Sequence, residues 1–292
     1  MTVRKLLDTL VHNDALNFAL TNRIPRRFLT SVVGRVSKSE NPVVARAALR
    51  IWQTFADLDL SEARSRSFKS LHACFIRELR EGVRPVETSP AVLTSPCDGI
   101  VVAHGDIDGE TLLQVKGKTY TLSEIAGGAD LARYRNGHYV TLRLTSTMYH
   151  RFHAPYDGMV RNVRYLPGDV WNVNPPALAR VDKLYCRNER ALIDFELSDG
   201  RRVAIVPVAA ILVAGLKLHF LQFSRTLTAA DYACAAPFTK GQEMGWFEHG
   251  STIIVLAEPG WAMAPAVALN ARLRMGQALL TRSVEAVSHH QN

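Results

Sequence analysis

The sequence predicts an α+β protein in two parts: a helical segment over residues 1–60, then a mainly antiparallel β-sandwich domain over residues 61–292. Apolar residues recur at helical spacing through the first part. From about residue 92 they regroup into short β-branched runs divided by Asp-Gly and Lys-Gly turns. A chain of 292 residues with 47% hydrophobic and 21% charged residues is long and apolar enough to bury a sizeable core.

In the first part, residues 2–20 carry Val3, Leu6, Leu7, Leu10, Val11, Leu16 and Phe18 close to one helical stripe. Ile24-Pro25 punctuates, and a second amphipathic piece runs from Phe28 to Val36. Pro42 opens a third helix through Ala48, Leu49, Trp52 and Phe55, proline being suited to a first helical turn. Residues 61–90, with Phe68, Leu71, Phe75, Ile76 and Leu79, read as a docking helix with Arg77 and Arg80 on its surface and a linker marked by Arg84-Pro85.

The net charge of +8 is concentrated at the front: residues 1–58 hold nine basic groups against four acidic ones. Nucleic acid or an anionic membrane surface would account for that surplus. The segment lacks the interleaved aromatics of a stacking platform, which disfavours nucleic acid. Short basic helices rich in Leu, Phe and Trp suit a membrane interface, and equally suit packing on their own domain. No apolar run approaches the roughly 20 residues of a membrane span. Asp8, His12, Asn13 and Asp14 interrupt any signal-peptide core, so the protein is expected to stay where it is made. The cysteines (Cys74, Cys97, Cys186, Cys234) are scattered, which suits a reducing compartment and argues against a disulfide framework.

In the second part, strands are expected at 92–93, 100–102, 112–115, 139–144, 159–166, 192–197 and 203–213, with Ser123 capping a short helix over 124–131. One hexapeptide occurs twice: Pro96-Cys97-Asp98-Gly99-Ile100-Val101 and Pro155-Tyr156-Asp157-Gly158-Met159-Val160. Each places a turn before an apolar strand, which suggests a duplicated hairpin sandwich resembling biotinyl and lipoyl domains. A carrier function would need a lysine at a hairpin tip, and neither copy offers one.

Three clusters carry candidate chemistry. Gly250-Ser251-Thr252 opens the β-branched run Ile253-Ile254-Val255-Leu256, Asp98 lies in the first hexapeptide, and His150 and His153 lie just before the second. Glycine at 250 leaves its carbonyl open to close approach, and Ser251 places a hydroxyl beside it. An acid, an imidazole and a serine hydroxyl are the parts of a nucleophile-activating relay. The same His150, His153 and Asp98 could instead hold zinc in a hydrolase on a related β-sandwich.

Six motifs in register decide between these readings. Ser95-Pro96-Cys97-Asp98-Gly99, Tyr149-His150-Arg151-Phe152-His153-Ala154-Pro155, Tyr165-Leu166-Pro167-Gly168-Asp169, Arg187-Asn188-Glu189-Arg190, Lys240-Gly241-Gln242-Glu243-Met244-Gly245 and Gly250-Ser251-Thr252 closely resemble those of the phosphatidylserine decarboxylase family, in its proteobacterial form. The resemblance runs from the Phe75 to Pro85 region to Met275-Gly276-Gln277.

It implies a self-cleaving zymogen. Ser251 Oγ attacks the Gly250 carbonyl with Asp98 and His153 as the activating pair, and the chain parts into residues 1–250 and 251–292. The serine end becomes a covalent pyruvoyl group, an electron sink for removing carbon dioxide from phosphatidylserine and leaving phosphatidylethanolamine. His150 is the expected donor of the proton that replaces it, with no metal required. The resemblance also implies a heterodimer of the two fragments, a dimer of such pairs, and a peripheral position on the cytoplasmic face of an anionic membrane. The family usually carries Leu where this chain has His249, which bears on the rate of self-processing rather than its occurrence.

Overall fold

The computed structural model describes residues 13–22, 26–55, 58–113, 117–210, 215–222, 227–248 and 251–282. The helix expected over residues 2–20 lies partly outside these residues; its described part is α1 (Asp14–Asn22). It is followed by α2 (Arg26–Ser37) and α3 (Pro42–Phe55), the latter with Pro42 in its first turn. Among the described residues no helix is long and apolar enough to cross a membrane. The docking helix is shorter than its apolar pattern suggests. It is α4 (Leu71–Phe75), where Ser70 accepts a hydrogen bond from the Ala73 amide.

The strands follow as β1 (Val92–Thr94), β2 (Gly99–Asp106), β3 (Thr111–Leu113), β4 (Thr119–Thr121), β5 (His138–Leu144), β6 (Arg151–His153), β7 (Gly158–Leu166) and β8 (Arg190–Leu197). Then come β9 (Arg202–Val208), β10 (Leu216–Leu218), β11 (Ala230–Phe238), β12 (Glu243–Phe247), β13 (Ser251–Ala257), β14 (Trp261–Met263), β15 (Arg272–Leu273) and β16 (Ala278–Arg282). Short helices α5 (Leu122–Ala126), α6 (Pro175–Arg180) and α7 (Leu184–Arg187) interrupt them. The helix expected over 124–131 is displaced because Thr121, not Ser123, caps it. Thr121 and Glu124 close a reciprocal capping box, and Gly127 ends the helix in the left-handed region.

An eight-stranded antiparallel sheet, ordered β11-β7-β8-β9-β13-β5-β2-β15, is the frame. Strand β13 lies in its middle, paired with β9 on one side and β5 on the other. Alternate residues of β13 feed two cores. Ile253 and Val255 pack into one with Leu142, Phe152, Phe247 and Trp261, whereas Ile254 and Leu256 enter the other with Tyr139, Val206, Leu184 and Tyr185. Burial on both faces is why this strand is a continuous apolar run rather than an alternating one.

The first core is closed by two three-stranded sheets, β1-β16-β14 and β10-β12-β6, and the second by the short helices and the β3-β4 hairpin. The two hexapeptides open β2 and β7, which hold equivalent penultimate places at opposite ends of the large sheet. Gly158 is required there, since a Cβ would sit 2.2 Å from the Glu196 carbonyl oxygen on the neighbouring strand.

The N-terminal helices dock on this frame. Phe18 of α1 stacks against Trp171, and Asn174 donates a 2.8 Å hydrogen bond to Asn17. Beyond α2, Lys38 grips the Glu248 carboxylate at 2.7 and 2.9 Å.

Candidate active site

The centre of the site is the connection from β5 to β6. Leu144, the last residue of β5, is the strand partner of Ser251. Six residues on, the main-chain carbonyl of His150 accepts a 3.0 Å hydrogen bond from the Phe247 amide. The turn at 145–149 is therefore bracketed by Leu144, paired with Ser251, and by His150, bonded to Phe247. His249 and Gly250 lie outside the described residues, and of Ser251 the backbone alone is described. Both flanks of that short stretch are held: Glu248 by Gly215 and Lys38, and Thr252 by strand partners Arg143 and Val208.

His150 is completely buried. Its Nδ1 lies 2.8 Å from the Met148 carbonyl oxygen. A carbonyl can only accept, so Nδ1 carries the hydrogen and Nε2 the lone pair. Nε2 is buried with no hydrogen-bond partner in the protein. Burial, and then the nearby Arg77 guanidinium, lower the imidazole pKa from 6.5 to about 4. The ring is thus neutral at pH 7.

A stability consequence follows from that depression. Between pH 6.5 and 4 the unfolded chain binds a proton at this histidine that the native chain refuses, so the native state loses stability as pH falls through that window. The expected loss from this one group is about 2 kcal/mol between pH 7 and pH 5. Urea unfolding of the chain beside a His150→Ala variant at the two pH values measures it. An equal pH dependence in both proteins would be the contrary result.

His153 is nearly as deeply buried and differently engaged. Its Nδ1 donates to the Gly241 carbonyl at 2.9 Å, and its Nε2 accepts from the Tyr149 hydroxyl at 3.0 Å. Burial lowers its pKa too, so this imidazole is also set up as a neutral base. Its main-chain amide bonds to the Pro96 carbonyl, which fastens β6 to the first hexapeptide.

Asp98 is placed beside these histidines but is not the group that orients either ring. Its carboxylate takes a two-pronged ion pair from Arg84, Nε to Oδ1 at 2.8 Å and Nη2 to Oδ2 at 2.6 Å, and a further hydrogen bond from the Met275 amide. Burial works against the charge on Arg84, yet its hydrogen bonds to Asp98 and Glu62 push its pKa upward, so the guanidinium stays charged. The carbonyls of Gly241 and Met148 do the orienting that the sequence reading gave to a carboxylate.

Arg84, Tyr149 and the Gly241 carbonyl thus join the site although the sequence, which shows them in a linker and in two motifs, assigns them no role in it. An acceptor made of backbone leaves no residue-type signal, and Arg84 lies 14 residues from its partner with only a proline to mark it. Arg77 is a correction: it is 6% exposed rather than on a surface, because its helix stops at Phe75 and the chain turns inward.

The zinc alternative finds no support in this arrangement. His150 and His153 each spend Nδ1 on a main-chain carbonyl, His153 Nε2 is taken by Tyr149, and Asp98 is taken by Arg84. Among the described residues no three His, Cys, Asp or Glu side chains form a metal-binding group.

The chain matches the family model described as phosphatidylserine decarboxylase over residues 71–281, which include Arg84, Asp98, Tyr149, His150, His153 and Ser251. A phosphatidylserine decarboxylase proenzyme of Anaeromyxobacter sp. (strain K) is 36% identical over 278 residues, 91% of this chain and 98% of that one. One from Vibrio cholerae serotype O1 is 35% identical over 279 residues, covering 90% and 98%. Another, from Erwinia tasmaniensis, is 32% identical over 300 residues, covering 95% and 99%. The class of protein is therefore an enzyme, a carboxy-lyase. Within that class, the chain belongs to the phosphatidylserine decarboxylase family.

Proposed function

We propose that this chain removes carbon dioxide from phosphatidylserine to leave phosphatidylethanolamine, using a pyruvoyl group that it makes from Ser251 by breaking its own Gly250–Ser251 bond. The observation that carries the proposal is the family match across residues 71–281, which spans Asp98, His150, His153 and Ser251 together.

In self-processing, Ser251 Oγ bonds to the Gly250 carbonyl carbon as its proton moves toward His153, whose Nε2 holds a lone pair. The Tyr149 hydroxyl on that nitrogen is the natural relay between them. The peptide C–N bond breaks and the new amine takes the proton. Elimination then releases the Gly250 carboxylate, and water replaces the nitrogen as ammonia leaves. The Asp98–Arg84 pair fixes the Pro96–Gly99 turn to which the His153 amide is bonded.

The residues fit a group formed at position 251, since the unpartnered Nε2 of His150 is carried on the turn that follows Leu144, the strand partner of Ser251. The ketone of a pyruvoyl group supplies the electron sink when carbon dioxide departs. His150 then delivers, from Nε2, the proton that fills the vacated position on carbon.

The described helices favour a peripheral membrane seat for residues 1–60, with residues 61–292 as the catalytic domain. Phe28, Val36, Val43 and Ile51 are exposed, with Arg35, Arg46 and Arg50 exposed beside them. Apolar residues flanked by cations suit the headgroup region of an anionic bilayer, here on its cytoplasmic face. The two hexapeptide-led strands at the ends of the large sheet read as halves of a duplicated biotinyl- or lipoyl-like sandwich.

An intact-mass spectrum of the purified protein tests the central step. The expected result is a residue 1–250 fragment together with a residue 251–292 fragment blocked at its N-terminus. A single unbroken chain with full decarboxylase activity would refute it.

A further inference from the structure

Three consecutive residues of one segment touch the stretch around His150, one by a ring contact and two by hydrogen bonds. The Phe75 ring meets the imidazole edge-on, with centroids 5.5 Å apart and planes at 76°. The Ile76 carbonyl accepts a 2.8 Å hydrogen bond from Arg151 Nε, the residue after the histidine. Arg77 Nη2 donates to the Thr147 carbonyl at 2.8 Å, and Nη1 to the Cys74 carbonyl at 3.3 Å.

Arg77 is the telling member. It is a buried cation, and among the described residues no carboxylate lies within ion-pair distance of it. A guanidinium taken out of water without an acid partner is costly, and here its hydrogen bonds go to two main-chain carbonyls on separate segments. It serves as a tie between the end of α4 and the histidine turn.

The tie has a backing. Trp52 of α3 stacks on Phe75, with centroids 4.3 Å apart and planes at 26°. Trp52, Ala48 and Val44 form the half-buried face of α3, whereas Val43, Arg46, Arg50 and Ile51 face solvent. One helix therefore turns basic and apolar residues outward and, by way of Trp52 and Phe75, bears on His150.

We propose that Phe75, Arg77 and Trp52 are positioning residues for His150, so that the seat of α3 on the catalytic domain sets the orientation of the imidazole and, through it, turnover. The inference rests on the reading of His150 as the proton donor. It goes beyond that reading by assigning the N-terminal helices an internal task that is separate from holding lipid.

The test uses the full chain with Trp52→Ala, Phe75→Leu and the conservative Trp52→Phe. Self-cleavage is expected to go to completion in all three. With monomeric short-chain phosphatidylserine, Trp52→Ala and Phe75→Leu are expected to lower kcat by about tenfold to a hundredfold with KM within about twofold, and Trp52→Phe to restore most of it. The same losses are expected on vesicles of phosphatidylserine and phosphatidylcholine. In uncleaved Ser251→Ala protein, the His150 ring nitrogen resonances are expected to move when Trp52→Ala is added.

Unmoved resonances with unchanged kcat on both substrates would overturn the proposal. So would a loss confined to vesicles, which would place the action of Trp52 at the bilayer. The resonance comparison needs neither cleavage nor substrate, so it decides this point even if the decarboxylase reading itself fails.

Discussion

Ser251→Ala is expected to give one unbroken 292-residue chain with decarboxylase activity at background, a complete loss rather than a partial one. In the proposed mechanism the hydroxyl is the attacking group and also the source of the ketone, so its removal would abolish both the cleavage and the cofactor. The fold should survive, because the backbone pairing of β13 with β5 and β9 does not involve that oxygen. Denaturing electrophoresis reads the result directly. Normal fragments from this variant would move the scissile bond elsewhere and remove the basis of the mechanism.

The unmutated protein should behave differently under two conditions. Residues 251–282 supply β13 in the middle of the large sheet, β15 at its edge, and β14 and β16 of a second sheet whose third strand is β1. Cutting before Ser251 thus leaves a fragment woven through the remainder by backbone hydrogen bonds and by the buried Ile253, Val255, Trp261 and Leu280. Gel filtration should show one particle, and denaturant should release two chains.

Parts of this site were legible in the residues and parts were not, for physical reasons. The strand Ile253–Leu256 was plain because a strand buried on both faces must be apolar at successive positions. The turn-and-strand hexapeptides were plain because Asp-Gly before an apolar run has few other uses. The capping box was also available, in the spacing of Thr121 and Glu124, and it prevails over Ser123 because it satisfies two amides rather than one. Arg77 was misplaced because an isolated arginine is nearly always exposed, and only the inward turn after Phe75 buries it. The partner of Asp98 was hidden for another reason. The two-pronged contact with Arg84 depends on how a linker crosses the site, which neither periodicity nor turn chemistry encodes.

His150→Ala and His153→Ala are expected to separate the two halves of the chemistry. The two rings share a tautomer, since each donates from Nδ1 to a main-chain carbonyl, but their Nε2 atoms differ. That of His153 is bridged to Tyr149, ready to pass a proton from a hydroxyl, whereas that of His150 is buried with no partner in the protein. A buried nitrogen with no partner in the protein is poised for a group that arrives later, in the proposed mechanism the substrate. His150→Ala should therefore cleave fully, bind vesicles normally and lose about a hundredfold to ten-thousandfold in kcat, the span of a lost general acid or base. His153→Ala should stall as the uncleaved chain. Should His150→Ala instead block cleavage while His153→Ala permits it, the two roles are exchanged. A neutral resting His150 also implies that its transferable proton is acquired within the catalytic cycle, because a ring with pKa about 4 holds no second proton at pH 7. That proton must reach Nε2 from substrate or solvent after the substrate binds, when the negative charge of its carboxylate and phosphate favours the imidazolium. In deuterated water the new C–H bond should then carry one solvent-derived deuterium, and His150→Ala should place it far more slowly.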